Sequence, residues 1–175
     1  MLALSELVNM NLIRIVLMVA VAAIAVVMDV RERRIPNALT LPLAIAALGI
    51  GVVCGGPSGL VMAAAGCLAG GLLLLVPVAK LGWGMGDLKL VAALGSMGGP
   101  LFALWMGLYA MVAGGLFALV WLKQQGQLAH VAGGMQDDLL TGQVPLARSG
   151  LSIPFAVPIA AGMVVALLLF PGLPR

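Results

Sequence analysis

Two acidic residues stand out by where they fall. Asp29 closes one long apolar run and Asp87 opens another, in a chain with only 9% charged residues. A carboxylate beside a hydrocarbon-like segment is costly, so an ionisable group there is a functional candidate by default. Two such carboxyl groups brought together can share one proton. One then takes a proton from water as general base, while the other, as acid, polarises a carbonyl group. The chemistry open to such a pair is hydrolysis of a peptide bond with neither a metal nor a covalent intermediate.

The surroundings of Asp87 suit that role. In Gly84-Met85-Gly86-Asp87-Leu88-Lys89, Gly84 and Gly86 have no side chain, so a second backbone can approach and positive φ is accessible. The plain alternative is a turn entering a helix, with Asp87 as its N-cap. Helix ends also set the two acids apart. A helix N-terminus favours the anion at Asp87, and a C-terminus does not favour it at Asp29.

The elements that must position these groups follow from composition. The chain has 175 residues, 63% of them hydrophobic, and a mean hydropathy of +1.19. A soluble domain is about half apolar and a quarter charged, so the bilayer is the expected solvent for most of this surface. Disorder is excluded. No basic tract interleaves with aromatics, so no nucleic-acid partner is expected. The 24 glycines suit close helix packing in lipid. Cys54 and Cys67 lie in apolar runs outside any Cys-x-x-Cys pair and are expected to be buried small residues, not metal ligands.

Charges divide the chain. A span needs roughly 20 residues. The first helix is expected over about 10–28, retained and not cleaved as a signal peptide, with Arg14 snorkelling near one end. A polar loop follows over about 29–37, where Pro36 keeps Ile35 out of helix and can itself open the next one. The uncharged run from 35 to 79 holds two spans, about 38–54 and 60–79, with Gly55-Gly56-Pro57-Ser58-Gly59 as the turn. Gly66 and Gly70 make a candidate close-packing face on the second of them. Gly98-Gly99-Pro100 divides the next run into a short fourth helix, about 87–97, and a fifth, about 101–122. Eleven residues or so are too few to cross about 30 Å of hydrocarbon, so irregular backbone is expected there, shielded by protein or lining a wet cavity. The segment 123–151 carries His130, Asp137, Asp138 and Arg148 and reads as a solvated loop, with room for a short surface helix. The last span, about 152–170, opens on Pro154 and Pro158. Trp83, Trp105 and Trp121 read as interfacial or core aromatics.

The fold class is therefore all-α, a single membrane-embedded domain over 1–175 with six transmembrane helices, the fourth short. With six spans, the loops at about 29–37, 80–88 and 123–151 share one side. That side holds Arg31, Arg33, Arg34, Lys80, Lys89, Lys123 and Arg148, against Arg14 and Arg175 on the other. The positive-inside bias places the loop side in the cytoplasm and both termini outside. Asp29 and Asp87 then lie at similar depth on the cytoplasmic face.

Two motifs in order carry a resemblance. Asp29-x-Arg31-x-x-x-Ile35-Pro36-Asn37, followed by Gly84-x-Gly86-Asp87-x-Lys89, resembles the type IV prepilin peptidases, which belong to the Gly-x-Gly-Asp membrane aspartic proteases. The opening of the last span at Pro154 and Pro158 is similar to theirs. The resemblance covers essentially the whole chain. It implies that Asp29 and Asp87 are the catalytic residues and that Gly84, Gly86, Lys89, Arg31, Pro36, Asn37, Pro154 and Pro158 shape the site or bind substrate. It implies cleavage of a prepilin or pseudopilin leader after Gly at the cytoplasmic face of the bacterial inner membrane, with no cofactor and no metal. The likeness is to the short form that serves tight-adherence (Flp-type) pili, without the N-terminal zinc-binding domain of longer members. N-methylation of the new N-terminus is not carried over to it. A proton- or solute-conducting transporter using the same two aspartates, and a structural subunit of a pilus or secretion assembly, are the competing functions.

Overall fold

The structure, a computed structural model, describes residues 2–33, 35–81, 84–124, 126 and 155–169. The described regular structure is four helices: α1 (Leu2–Glu32), α2 (Asn37–Leu81), α3 (Met85–Gln124) and α4 (Ala156–Leu169). Three stretches, Asn11–Glu32, Asn37–Ala79 and Met85–Gln124, are long and apolar enough to cross a membrane, and α4 is a shorter apolar helix. The expected last-span residues 152–154 and nearly all of the 123–151 segment, with His130, Asp137, Asp138 and Arg148, lie outside the described residues, as does Trp83.

The first helix runs further than its apolar stretch. It ends at Glu32, so Asp29 sits in its last turn and not in a loop. Arg33 then adopts φ 55°, and its N–H donates to the Asp29 carbonyl at 3.0 Å. This is a left-handed C-cap built on a non-glycine residue, a conformation that costs an L-residue about 1–2 kcal/mol. The Pro36 carbonyl accepts the Leu39 N–H at 3.0 Å and opens α2. The connection between the two helices is thus only 33–36.

Six separate spans are expected from the sequence, whereas four helices are delimited. The difference lies in how the chain turns. An unbroken helix of 45 residues would run about 68 Å, more than twice the hydrocarbon thickness of about 30 Å. Gly56 (φ 59°, ψ −141°) interrupts α2, and Gly99 (φ 83°, ψ 176°) interrupts α3. The chain reverses at both. A Cβ on Gly51 would stand 2.7 Å from the Gly59 carbonyl oxygen, and one on Gly95 would stand 2.7 Å from the Ala103 methyl. Residues eight apart in a straight helix are about 12 Å apart. One glycine in a conformation open only to glycine does the work expected of a five-residue turn, so helical hydrogen bonding runs almost up to the reversal.

Glycine also sets the packing. Gly66 lies against the backbone of Gly95 and Gly99, and a Cβ on Gly70 would stand 2.7 Å from the Val91 carbonyl oxygen. The Gly66/Gly70 face is therefore the seam between the later half of α2 and the early half of α3. A Cβ on Gly162 of α4 would stand 2.7 Å from the Met106 carbonyl oxygen of α3. Leu74, Leu90, Leu94, Met106, Ile159 and Met163 are fully buried between these helices. Outward, Val19, Ile45, Leu72, Leu108 and Leu116 are exposed, as suits a chain whose outer solvent is lipid. Cys54 and Cys67 are free and only half-buried, not fully buried as expected. Trp105 stacks on Tyr109 at 5.8 Å and Trp121 on Phe117 at 5.9 Å between ring centroids.

Arg14 does not snorkel. It is 7% exposed and lines a cavity of about 120 Å³ with Gly51, Gly55, Ser58, Ser96 and Gly99. Helix segments 37–55 and 85–98 end at this cavity, and the segments that follow Gly56 and Gly99 begin there. Arg14 lies about 22 Å along α1 from Asp29 by helical rise, so the cavity sits at the opposite end of the bundle from the acids.

The seam predicts a contrast between glycines. Gly66→Ala should lower stability by about 1–3 kcal/mol, because the added methyl has only backbone to displace. Gly49→Ala, where nothing lies within 4 Å, should be neutral or raise stability by about 0.5–1 kcal/mol. Thermal unfolding of the detergent-solubilised variants reads both.

Candidate active site

The last turn of α1, the first turn of α3 and the first turn of α4 meet at one end of the bundle. Asp29 and Asp87 are the two buried acids they carry there, 8% and 6% exposed. The charge of Asp29 acts directly on Asp87, so the structure brings together the two carboxyl groups that the sequence singles out.

Each is held by the N–H of a helix start. Asp87 is the third residue of α3. Its N–H donates to the Gly84 carbonyl at 3.1 Å, and its Oδ2 accepts the Gly84 N–H at 3.2 Å. This is the reach-back half of a capping box, so Asp87 is not the N-cap; Gly84 is. Asp29 Oδ2 accepts the N–H of Ala156, the first residue of α4, at 2.9 Å in a buried setting. That N–H has no acceptor within its own helix. The contrast expected from helix ends therefore does not hold. Asp29 belongs to the C-terminal turn of α1, but its carboxyl group lies at the N-terminus of α4, so both carboxyls face the positive end of a helix. The Arg33 guanidinium also acts on Asp29.

The motif glycines work by close approach. A Cβ on Gly86 would stand 3.1 Å from the Ile35 Cβ, and one on Gly84 would stand 3.3 Å from the Asp87 carboxylate. Neither has positive φ; among the described residues the positive-φ glycines are Gly56, Gly99 and Gly126. Ile35-Pro36-Asn37 thus packs on the turn that bears Asp87. Lys89 Nζ donates to Asn37 Oδ1 at 2.9 Å on the exposed side. Two residues apart on a helix do not share a face, so Lys89 ties α3 to the start of α2 and leaves Asp87 alone. Pro36 is half-buried and Arg31 is exposed in the last turn of α1. Pro158 is buried, with Gly114 of α3 close by, and reads as a packing residue. Pro154 lies outside the described residues.

Sequence reasoning missed the Ala156 N–H and the Arg33 cap. Both are backbone features. The only signal for the first is the placement of prolines around residue 156, which marks a helix start and hence a set of unbonded N–H groups.

The family model of the type IV leader peptidase family matches residues 16–119. That span exceeds half of the chain, and the chain belongs to this family. It holds both aspartates and stops short of α4. No curated protein matches the chain, and no solved structure does. A peptidase family and apolar helices of this length make it a membrane protein.

The Asp29 bond has a structural signature separable from catalysis. Asp29→Asn keeps an acceptor for the Ala156 N–H and should hold stability within about 1 kcal/mol. Asp29→Leu leaves that buried N–H unbonded and should cost about 1–3 kcal/mol. Thermal unfolding of the two variants, side by side, checks this.

Proposed function

We propose that this member of the type IV leader peptidase family is a membrane aspartic endopeptidase. It cleaves the leader of type IV prepilins or pseudopilins after Gly, with Asp29 and Asp87 as the catalytic pair. The observation that carries the proposal is the pairing itself: two buried carboxyls from distant parts of the chain, each oriented by a backbone N–H, with the charge of Asp29 acting on Asp87.

In the proposed cycle one carboxylate takes a proton from water, and the water oxygen bonds to the scissile carbonyl carbon. The other carboxyl donates its proton to the carbonyl oxygen. The tetrahedral intermediate then loses the amine, which leaves with a proton returned by the dyad. Atoms and charge balance without a cofactor. Burial from water strengthens each of these electrostatic steps.

The reading extends to topology. With the reversals at Gly56 and Gly99, the chain crosses the bacterial inner membrane six times, and the fourth crossing, 85–98, is short. Asp29 and Asp87 face the cytoplasm and both termini lie outside, in line with the positive-inside bias. The substrate docks from the bilayer through its leader and apolar N-terminal helix. The chain's proposed substrates are those of tight-adherence (Flp-type) pili. Arg31, Lys89, Asn37, Pro36, Gly84 and Gly86 shape the site around the pair, and Pro154 and Pro158 open the last span.

Co-expression with a candidate prepilin tests the reaction. The wild-type chain should convert precursor to the mature form on a gel. Asp87→Asn should leave the precursor unprocessed, with a loss of at least about 10³-fold. Processing that survives Asp87→Asn would remove Asp87 from the chemistry, and ion flux into liposomes without any substrate protein would favour the transporter reading.

A further inference from the structure

We infer that the first backbone N–H of α4 is a positioning group of the active site, so that Ala156, outside the family-matched residues 16–119, sets the orientation of Asp29. The inference rests on the catalytic role proposed above for Asp29.

The geometry points one way. Ala156 N–H donates to Asp29 Oδ2 at 2.9 Å, in a buried bond between residues 127 apart in sequence. Ala156 is fully buried, so water does not compete for the donor. The donor is also stiffly placed. Ile159, Met163 and Ala166 of α4 are buried in the core, and a Cβ on Gly162 would stand 2.6 Å from the Ala110 N of α3. The Ile159 N–H closes the first turn onto the Phe155 carbonyl at 3.2 Å. A helix docked this tightly presents its first N–H as a fixed point.

The two acids differ in what holds them. Asp87 is oriented from within its own turn by Gly84, a residue that is itself exposed. Asp29 is oriented from another helix. The angle between the two carboxyl planes is therefore set by how α4 docks, not by α1 and α3 alone. Held through Oδ2, Asp29 keeps Oδ1 for the proposed shared proton and attacking water. Without the Ala156 N–H the carboxyl rotates about χ2, a broad and soft torsion, and the dyad loses its alignment. A misplacement of about 1 Å in a reacting group costs on the order of 10²-fold.

The test removes one hydrogen-bond donor. Replacing Ala156 by lactic acid converts its amide to an ester and deletes the N–H while keeping the methyl group. Val164→Ala, at an exposed position of the same helix, serves as control. Ala156→Pro is the genetically encoded counterpart, since proline suits the first position of a helix. Full-length protein in detergent or nanodiscs is assayed on a precursor. The ester and Ala156→Pro should lose at least about tenfold in kcat with KM unchanged, and one limb of the pH–rate profile should move. Val164→Ala should stay within about twofold of wild type.

An ester variant with wild-type kcat and pH profile would overturn the inference, whatever its melting temperature. So would a lower melting temperature with an unmoved pH profile and kcat, which marks a purely structural bond. A wild-type chain that cleaves no precursor would count against the proposed reaction instead. In that event the carboxyl ¹³C resonance of isotope-labelled Asp29 still tests the bond itself: it must shift between wild type and the ester, and an unmoved resonance would overturn the inference.

Discussion

Two carboxyl groups buried among apolar helices have to be hydrogen-bonded, and the rest of the fold follows from where the donors come from. Moving an unpaired carboxylate into such surroundings costs several kcal/mol. Every helix start, conversely, carries N–H groups that find no partner within the helix. At one end of this bundle each problem answers the other: Gly84 at the start of α3 serves Asp87, and Ala156 at the start of α4 serves Asp29. Among the described residues, no buried side-chain nitrogen or oxygen is left without a hydrogen bond. The arrangement needs three helix ends at one level, which a connection as short as 33–36 and two single-glycine reversals supply.

Glycine makes that convergence stable in lipid. Between helices in a bilayer the hydrophobic effect offers no gain, and close backbone packing replaces it. The seam of Gly66 and Gly70 against Gly95 and Val91 fixes the two hairpins to one another, and Gly162 fixes α4 to α3. The same residue type has a second use at Gly56 and Gly99, where its positive φ reverses the chain. Arg14 is buried at the far end, in the cavity where the two reversals lie.

Much of this was legible in the sequence, and the limits have physical causes. Asp29 and Asp87 were readable because charge is rare beside an apolar run, and Gly86 because a motif glycine implies close approach, here to Ile35. The turns at Gly56 and Gly99 were located correctly, but not their economy, since a string such as Gly55-Gly56-Pro57-Ser58-Gly59 does not say which glycine reverses. The end of α1 was placed too early because Asp29-Val30-Arg31-Glu32 is polar, and polarity alone does not end a helix. Arg14 was assigned to the surface because a lone cation near a span end usually snorkels, and burial beside two helix C-termini is a tertiary fact. The Ala156 donor left almost no trace, because every residue but proline carries the same N–H.

The central claim is that Asp29 and Asp87 act as one unit on one water. Single-turnover cleavage of a precursor by Asp29→Asn, by Asp87→Asn and by the double variant measures this directly. Groups that act as a unit are strongly non-additive, so each single variant should be as slow as the double. A single variant that keeps substantial cleavage, with a double variant slower by the product of the two losses, would contradict the account.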